Sequence, residues 1–310
     1  MLIAMQNIDK NNGTAITTNV AYVGNSMLYF NDTPRFVSKL VSESSKKSKK
    51  IHQDSCLRGG ASLISIYNDG NGMQDKFNTK KSLKEDGTYD IGSPDVKSLL
   101  AGSKTNWDYI VMNDFSQGPA RLQTREETAQ FLQKHYASLL RHKDCNTIPI
   151  FMMTAAYRKP CKGSDDLGNV CQFTHSLYEG YQLYVNVLNQ SMQNHNTRIA
   201  PVGNAFYAVY LENKQLWEKL FFEDNFHPSI CGTFLQGCVL HWTIYGAAPC
   251  ASIITDDSFV PSLWQDARRH YPADSLFELY FPTKEEALYL MTIAEKVCKE
   301  EPTINKTWKN

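Results

Sequence analysis

The strongest constraint on the fold is a change of hydrophobic period that repeats along the chain. Short apolar runs alternate with longer stretches in which apolar residues recur at helical spacing. Apolar runs without polar alternation suit parallel strands buried on both faces, and the amphipathic stretches between them suit the helices that cover those faces. The first run is Val20-Ala21-Tyr22-Val23, ending at Gly24. A helix is expected from Pro34 to Val41, where Phe36, Val37, Leu40 and Val41 share a face. Tyr109-Ile110-Val111-Met112, preceded by Trp107-Asp108, is the next strand. The helix after it draws its apolar face from Ala129, Leu132, Tyr136, Leu139 and Leu140, with Thr124 and Glu127 read as a capping box. Ile148 to Met153 reads as another buried strand and Tyr178 to Met192 as helix. Ile199 to Val202 reads as a short last strand whose Pro201 suggests an edge. Between Ser65 and Ser103 a polar region with turn signals at Asn68 to Gly72 and Glu85-Asp86-Gly87 reads as loops beside the strand ends. The expected architecture is an α/β class, three-layer α/β/α sandwich with a mainly parallel sheet over residues 1–250. A helical carboxyl-terminal extension over 251–310, with a capped helix from Thr283 to Lys299, packs on it.

At 310 residues, 42% hydrophobic and 21% charged, the chain can bury a substantial core without staples. Lysine plus arginine balances aspartate plus glutamate at 32 each, so no net field favours nucleic acid or an anionic membrane, and a neutral substrate fits better. The one charge run, Lys46-Lys47-Ser48-Lys49-Lys50, reads as a solvated helix end or loop. No stretch qualifies as a membrane span: the most apolar, Cys231 to Ile254, is interrupted by His241 and Pro249 and reads as a buried helix and a turn. Met1 to Met5 gives way at once to polar residues and lacks the apolar segment of a signal peptide, so a cytoplasmic location is the default expectation. The eight cysteines include no CxxC pair, and Cys161 and Cys171 suit either a local disulfide or two free thiols. P-loop, dinucleotide and HExxH motifs are absent, so no metal or organic cofactor is implied.

Three features follow strand ends, where an α/β enzyme places its chemistry. In Gly24-Asn25-Ser26 a glycine permits the tight turn that presents a serine at a helix start, among backbone N–H groups able to face an oxyanion. In Asp224-Asn225-Phe226-His227-Pro228 an aspartate three residues before a histidine can orient the imidazole and stabilise it once protonated; of the eight histidines only His227 has this partner. His135 and His241 lie in helical stretches and read as residues without a role. In Cys56 to Ser62 the pair Gly59-Gly60 can bring N–H groups close to a ligand. Each is weak alone. Gly60-Ala61-Ser62 is a second Gly-x-Ser, and the ordinary reading of such a serine is a helix cap.

Together, Gly24-Asn25-Ser26, Gly60, the polar block after the Trp107 to Met112 strand, and Asp224-x-x-His227-Pro228 resemble the four blocks of SGNH/GDSL hydrolases over roughly residues 19–247. The resemblance implies a serine ester hydrolase with Ser26 as nucleophile and His227 and Asp224 as its acid–base partners. The oxyanion hole would use the N–H groups of Ser26 and Gly60 and a third donor from block three. Two departures stand out. Asn25 replaces the usual aspartate, and block three lacks Gly-x-Asn-Asp: Asn113 has the familiar residue type, whereas Gln117 has the family's spacing from Asp108 and lies beyond the strand in a turn closed by Gly118-Pro119. Gln117 is therefore the expected donor. The polar segments Asn68 to Gly72 and Ser116 to Pro119 argue for short acyl esters of small molecules or carbohydrates over long-chain lipids. Trp264, Tyr271, Phe277 and Tyr280 are expected in the core. An acyltransferase on the same scaffold, and a non-catalytic carbohydrate-binding protein on a decayed one, are the alternatives.

Overall fold

The structure is a computed structural model that describes residues 15–73, 91–141, 147–160, 164–193, 196–267 and 280–307. Its centre is a five-stranded sheet, wholly parallel, in the order β2-β1-β3-β4-β5. The strands are β1 (Ile16–Gly24), β2 (Lys49–Leu57), β3 (Tyr109–Met112), β4 (Ile148–Met152) and β5 (Arg198–Ala200). The helices are α1 (Ser26–Tyr29), α2 (Thr33–Ser44), α3 (Leu63–Asp69), α4 (Leu122–Phe131), α5 (Ala137–Arg141) and α6 (Val170–Met192). They continue with α7 (Val202–Glu212), α8 (Lys214–Lys219), α9 (Ile230–Tyr245), α10 (Phe259–Ala267) and α11 (Lys284–Thr307).

The two-residue period of the strands divides the core. Val20 and Tyr22 of β1, Val111 of β3, and Ile150 and Met152 of β4 face a cluster supplied by α2 and α7 to α11. Ala21, Val23, Ile110, Met112 and Phe151 face a second cluster supplied by α3 to α6. The chain is thus a three-layer α/β/α sandwich. Ala287, Leu290, Ala294 and Val297 of α11 belong to the first cluster, and Trp264 is buried there, as expected of that aromatic. Tyr280 is half-buried, while Tyr271 and Phe277 lie outside the described residues. Thr283 and Glu286 form the reciprocal cap of α11: the Glu286 N–H donates to Thr283 Oγ1 and the Thr283 N–H donates to Glu286 Oε2.

Some expectations need correction. β2 has no apolar run, because it is an edge strand whose side chains are mostly half-exposed. Lys46 and Lys47 form the expected solvated turn, but Lys49 and Lys50 open this strand. Thr124 caps no helix: α4 begins at Leu122 after Arg121, which offers no side-chain cap. The polar region after Ser65 is not all loop, since Leu63–Asp69 is helical, and residues 74–90 lie outside the described residues. Cys161 does too, and with it the question of a bond to Cys171.

The register aligns the carboxyl ends of all five strands. Gly24 pairs with Leu57, Val23 with Met112, Met112 with Phe151, and Met152 with Ala200. The segments after each strand therefore emerge along one edge of the sheet. β1 lies between β2 and β3, so the connection from β1 to β2 and the return to β3 diverge there. In an open parallel sheet such a divergence opens a crevice between the two strand ends.

Candidate active site

Ser26 opens α1 directly after β1, half-buried at that crevice. Asn25 caps the helix by accepting the Met27 N–H on Oδ1 at 3.1 Å. Its Nδ2 donates to the carbonyls of Ala61 at 2.8 Å and Asp114 at 2.9 Å, joining the ends of β1, β2 and β3. Gly24 is required by what lies against it: a Cβ there would stand 1.9 Å from Asn113 Oδ1. The Ser26 hydroxyl lies beside that of Tyr29; burial raises the Tyr29 pKa, and the contact with Ser26 offsets part of the rise.

The loop between α8 and α9 carries the second group. His227 Nδ1 is 2.6 Å from Asp224 Oδ2, while Asp224 Oδ1 accepts the N–H groups of Phe226 and His227 at 3.1 and 3.0 Å. Burial pushes the Asp224 carboxyl up, but the hydrogen bonds from the His227 side chain and backbone outweigh it and hold the carboxyl below its ordinary value. When Nδ1 donates to the carboxylate, Nε2 is the nitrogen left to accept, and among the described residues it is buried with no hydrogen-bond partner. Nε2 is not bonded to Ser26 in this structure.

Two clamps fix this loop. Asn31, just beyond α1, donates from Nδ2 to the Pro228 carbonyl and to Thr233 Oγ1, both at 3.0 Å. From the loop after β4, Arg158 donates to Asn225 Oδ1 at 3.0 Å, to the Glu218 carbonyl at 2.8 Å and to the Phe222 carbonyl at 3.4 Å. The ring of Phe30 stacks on His227 with centroids 4.2 Å apart and planes 4° from parallel, and Phe226 lies 4.2 Å from the same ring, tilted by 40°. The structure thus brings the neighbours of Ser26 against Asp224 and His227. Sequence reasoning missed Phe30, Asn31 and Arg158; the one local hint was Asn31-Asp32 ahead of Pro34, a turn signal before a helix.

Gly60 sits exposed in the turn after β2, with φ of +68°, a conformation that favours glycine. Among the described residues neither its N–H nor that of Ser26 makes a hydrogen bond. Ser62, in the second Gly-x-Ser, caps α3 in a reciprocal box with Ser65, the ordinary role foreseen for it.

The two candidates in block three differ sharply. Asn113 is fully buried, and both its amide atoms are engaged: Oδ1 accepts the Asn25 N–H, and Nδ2 donates to Asn25 Oδ1 and to the Asp114 carbonyl. Gln117 is half-buried; its Oε1 has no partner, and no hydrogen bond engages its Nε2 among the described residues. Asp114 is buried, its carboxyl pushed up by desolvation despite the Leu63 N–H and the Tyr184 hydroxyl, which donate to it at 2.9 and 2.8 Å. It ties the end of β3 to the start of α3. His241 is a core residue, its pKa pushed down to about 4 by burial.

Among the described residues no group of three or more His, Cys, Asp or Glu side chains is placed to hold a metal ion, and no helix is long and apolar enough to cross a membrane. No protein-family model matches the chain, and no curated sequence does. Solved structures do. A gut microbial diltiazem-metabolizing enzyme superposes with a TM-score of 0.45 at 13% identity, covering 76% of this chain and 48% of that one. Phospholipase A1 from Streptomyces albidoflavus gives 0.37 at 9% identity over 74% and 98%. Both superpose too loosely to bear on the site. A DUF4886 family protein from Bacteroides uniformis is similar over 94% of this chain and 99% of its own, with a TM-score of 0.58 at 14% identity, and the likeness in fold therefore extends over nearly the whole of both chains.

Proposed function

We propose that the chain is a serine ester hydrolase of the SGNH type. The observation that carries this reading is the Asp224 and His227 pair, 2.6 Å apart, with an unpartnered Nε2 on a loop that Asn31 fastens to the segment following Ser26. His227 Nε2 takes the proton of Ser26 Oγ as Oγ bonds to the ester carbonyl carbon. The same proton passes to the departing alcohol as the carbon–oxygen bond breaks, leaving an acyl-enzyme. Water, deprotonated by Nε2, attacks the acyl carbon and the proton returns to Ser26. Asp224 holds the imidazole in the tautomer that accepts at Nε2.

The uncommitted N–H groups of Ser26 and Gly60 and the carboxamide of Gln117 are assigned to the oxyanion. The acyl group is short. In support, the segments Asn68 to Gly72 and Ser116 to Pro119 are polar or small and offer no extended apolar surface for a long chain. Ring-shaped alcohols, sugars among them, suit the half-buried faces of Phe222 and Phe226 near the base. A series of p-nitrophenyl esters from acetate to octanoate tests the acyl assignment: acetate should be cleaved fastest, and a maximum at octanoate excludes it.

A further inference from the structure

We propose that Phe30 is a positioning residue for His227, its ring stacked on the imidazole so that it fixes the plane of that ring and ties it to the segment bearing Ser26. The proposal rests on the reading of His227 as the acid–base group. One face of the imidazole is covered by Phe30 at 4.2 Å and 4°, while Phe226 lies against the ring at 4.2 Å and 40°. Asp224 fixes rotation within the plane through Nδ1, but a hydrogen bond at one ring atom does not prevent tilting about that bond. A parallel phenyl face does. The same face is attractive to the imidazolium that forms when Nε2 takes a proton.

The backbone places Phe30 there at a cost. Asn31 and Asp32, which follow it, are both buried and both left-handed, with φ of +55° and +50°. Such conformations in residues other than glycine persist where surrounding contacts over-determine them. Those contacts are present: Asn31 Nδ2 holds the Pro228 carbonyl and Thr233 Oγ1, and Asp32 pairs with Arg35 at 2.6 Å. The kink between α1 and α2 therefore turns Phe30 onto the ring while Asn31 grips the residue after His227. Phe222 meets the edge of Phe30 at 5.3 Å and closes the frame. The charged groups around this frame are Asp224, the Arg158 and Glu218 pair 3.8 Å apart, and the Asp32 and Arg35 pair.

The test compares Phe30→Leu, which keeps apolar volume without a plane, with Phe30→Tyr, which keeps the plane, on p-nitrophenyl acetate. Phe30→Leu should lower kcat by about tenfold to a hundredfold, the scale of a misplaced catalytic group, with KM within about twofold. Phe30→Tyr should stay within about threefold of the parent. Unchanged kcat in Phe30→Leu, or an equal fall in Phe30→Tyr, overturns the proposal. Should Phe30→Leu unfold, Phe30→Met takes its place under the same criteria. The stack is also read without turnover: the ring-proton NMR signals of His227, identified by their loss in His227→Gln, should move downfield in Phe30→Leu as the ring current is removed. Unmoved signals overturn the stack, whereas moved signals in a parent protein without esterase activity uphold it and reject the hydrolase reading.

Discussion

Asn25 and Asn113 are joined in a reciprocal pair across the ends of β1 and β3: the Asn25 N–H donates to Asn113 Oδ1 at 3.2 Å, and Asn113 Nδ2 donates to Asn25 Oδ1 at 2.8 Å. Each of the two residues is thus held by the other. Asn25 Nδ2 also donates to two carbonyls, which an aspartate in its place could not do.

Asn25→Asp should therefore harm the protein. Asn25→Asp sets carboxylate oxygens against the Ala61 and Asp114 carbonyls in a buried site, at a cost of about 2 kcal/mol or more. Because burial and these carbonyls favour the protonated acid, its folded pKa lies above the unfolded value near 4. The penalty should be smallest below that value and grow as pH rises through the folded pKa. Urea unfolding of parent and variant from pH 4 to 8 measures it; a penalty independent of pH contradicts the assigned contacts.

The same pairing separates the block-three residues. Gln117→Ala should leave the unfolding midpoint nearly unchanged and lower kcat on p-nitrophenyl acetate about a hundred- to a thousandfold. Asn113→Ala should destabilise the fold by about 1–3 kcal/mol, since it strands the buried Asn25 N–H. Near-normal turnover in Gln117→Ala, with the large kcat loss in a stable Asn113→Ala, reverses the assignment.

Two glycines should respond differently to alanine. In Gly24→Ala the new Cβ meets Asn113 Oδ1 at 1.9 Å, so the strand end must shift, and a loss of about 3 kcal/mol is expected. Gly60→Ala meets nothing within 4 Å but must hold φ near +68°, which costs about 1–2 kcal/mol. Thermal unfolding ranks the two, and a more stable Gly24→Ala would contradict the packing.

Asp224→Asn should lower kcat by a factor on the order of 10⁴ by favouring the wrong tautomer of His227. Asp224 has a depressed pKa in the fold, so its stabilisation is fully present above the unfolded value of about 3.9 and is lost as pH falls through the folded value. The stability gap between parent and Asp224→Asn should accordingly narrow from pH 6 to pH 3; a gap that widens has the wrong sign.

The strands β1, β3 and β4 were legible because burial on both faces leaves their apolar runs unbroken by polar residues, whereas β2 was hidden by its place at the edge, where Lys50 and His52 face solvent. Asp224 and His227 were legible because three residues of one turn suffice to join them. Asn113 could be doubted as a donor from its adjacency to β3, but the reason for its burial, the pairing with Asn25, is a contact between strands 88 residues apart. Phe30 gave no signal: its position depends on a left-handed kink, and its target lies near the other end of the sheet's sequence. The half-buried rings of Phe30, Phe222 and Phe226 also make the surroundings of His227 more aromatic than the polar segments Asn68 to Gly72 and Ser116 to Pro119 suggested.

The most direct measurement is covalent labelling by a fluorophosphonate, followed by mass spectrometry of the modified peptide, on the parent protein, Ser26→Ala and Ser62→Ala. The account predicts one adduct on Ser26, its loss together with p-nitrophenyl acetate turnover in a folded Ser26→Ala, and both retained in Ser62→Ala, which loses only a helix cap worth about 1 kcal/mol. Turnover that survives in Ser26→Ala, or an adduct on another residue of the parent, would contradict it.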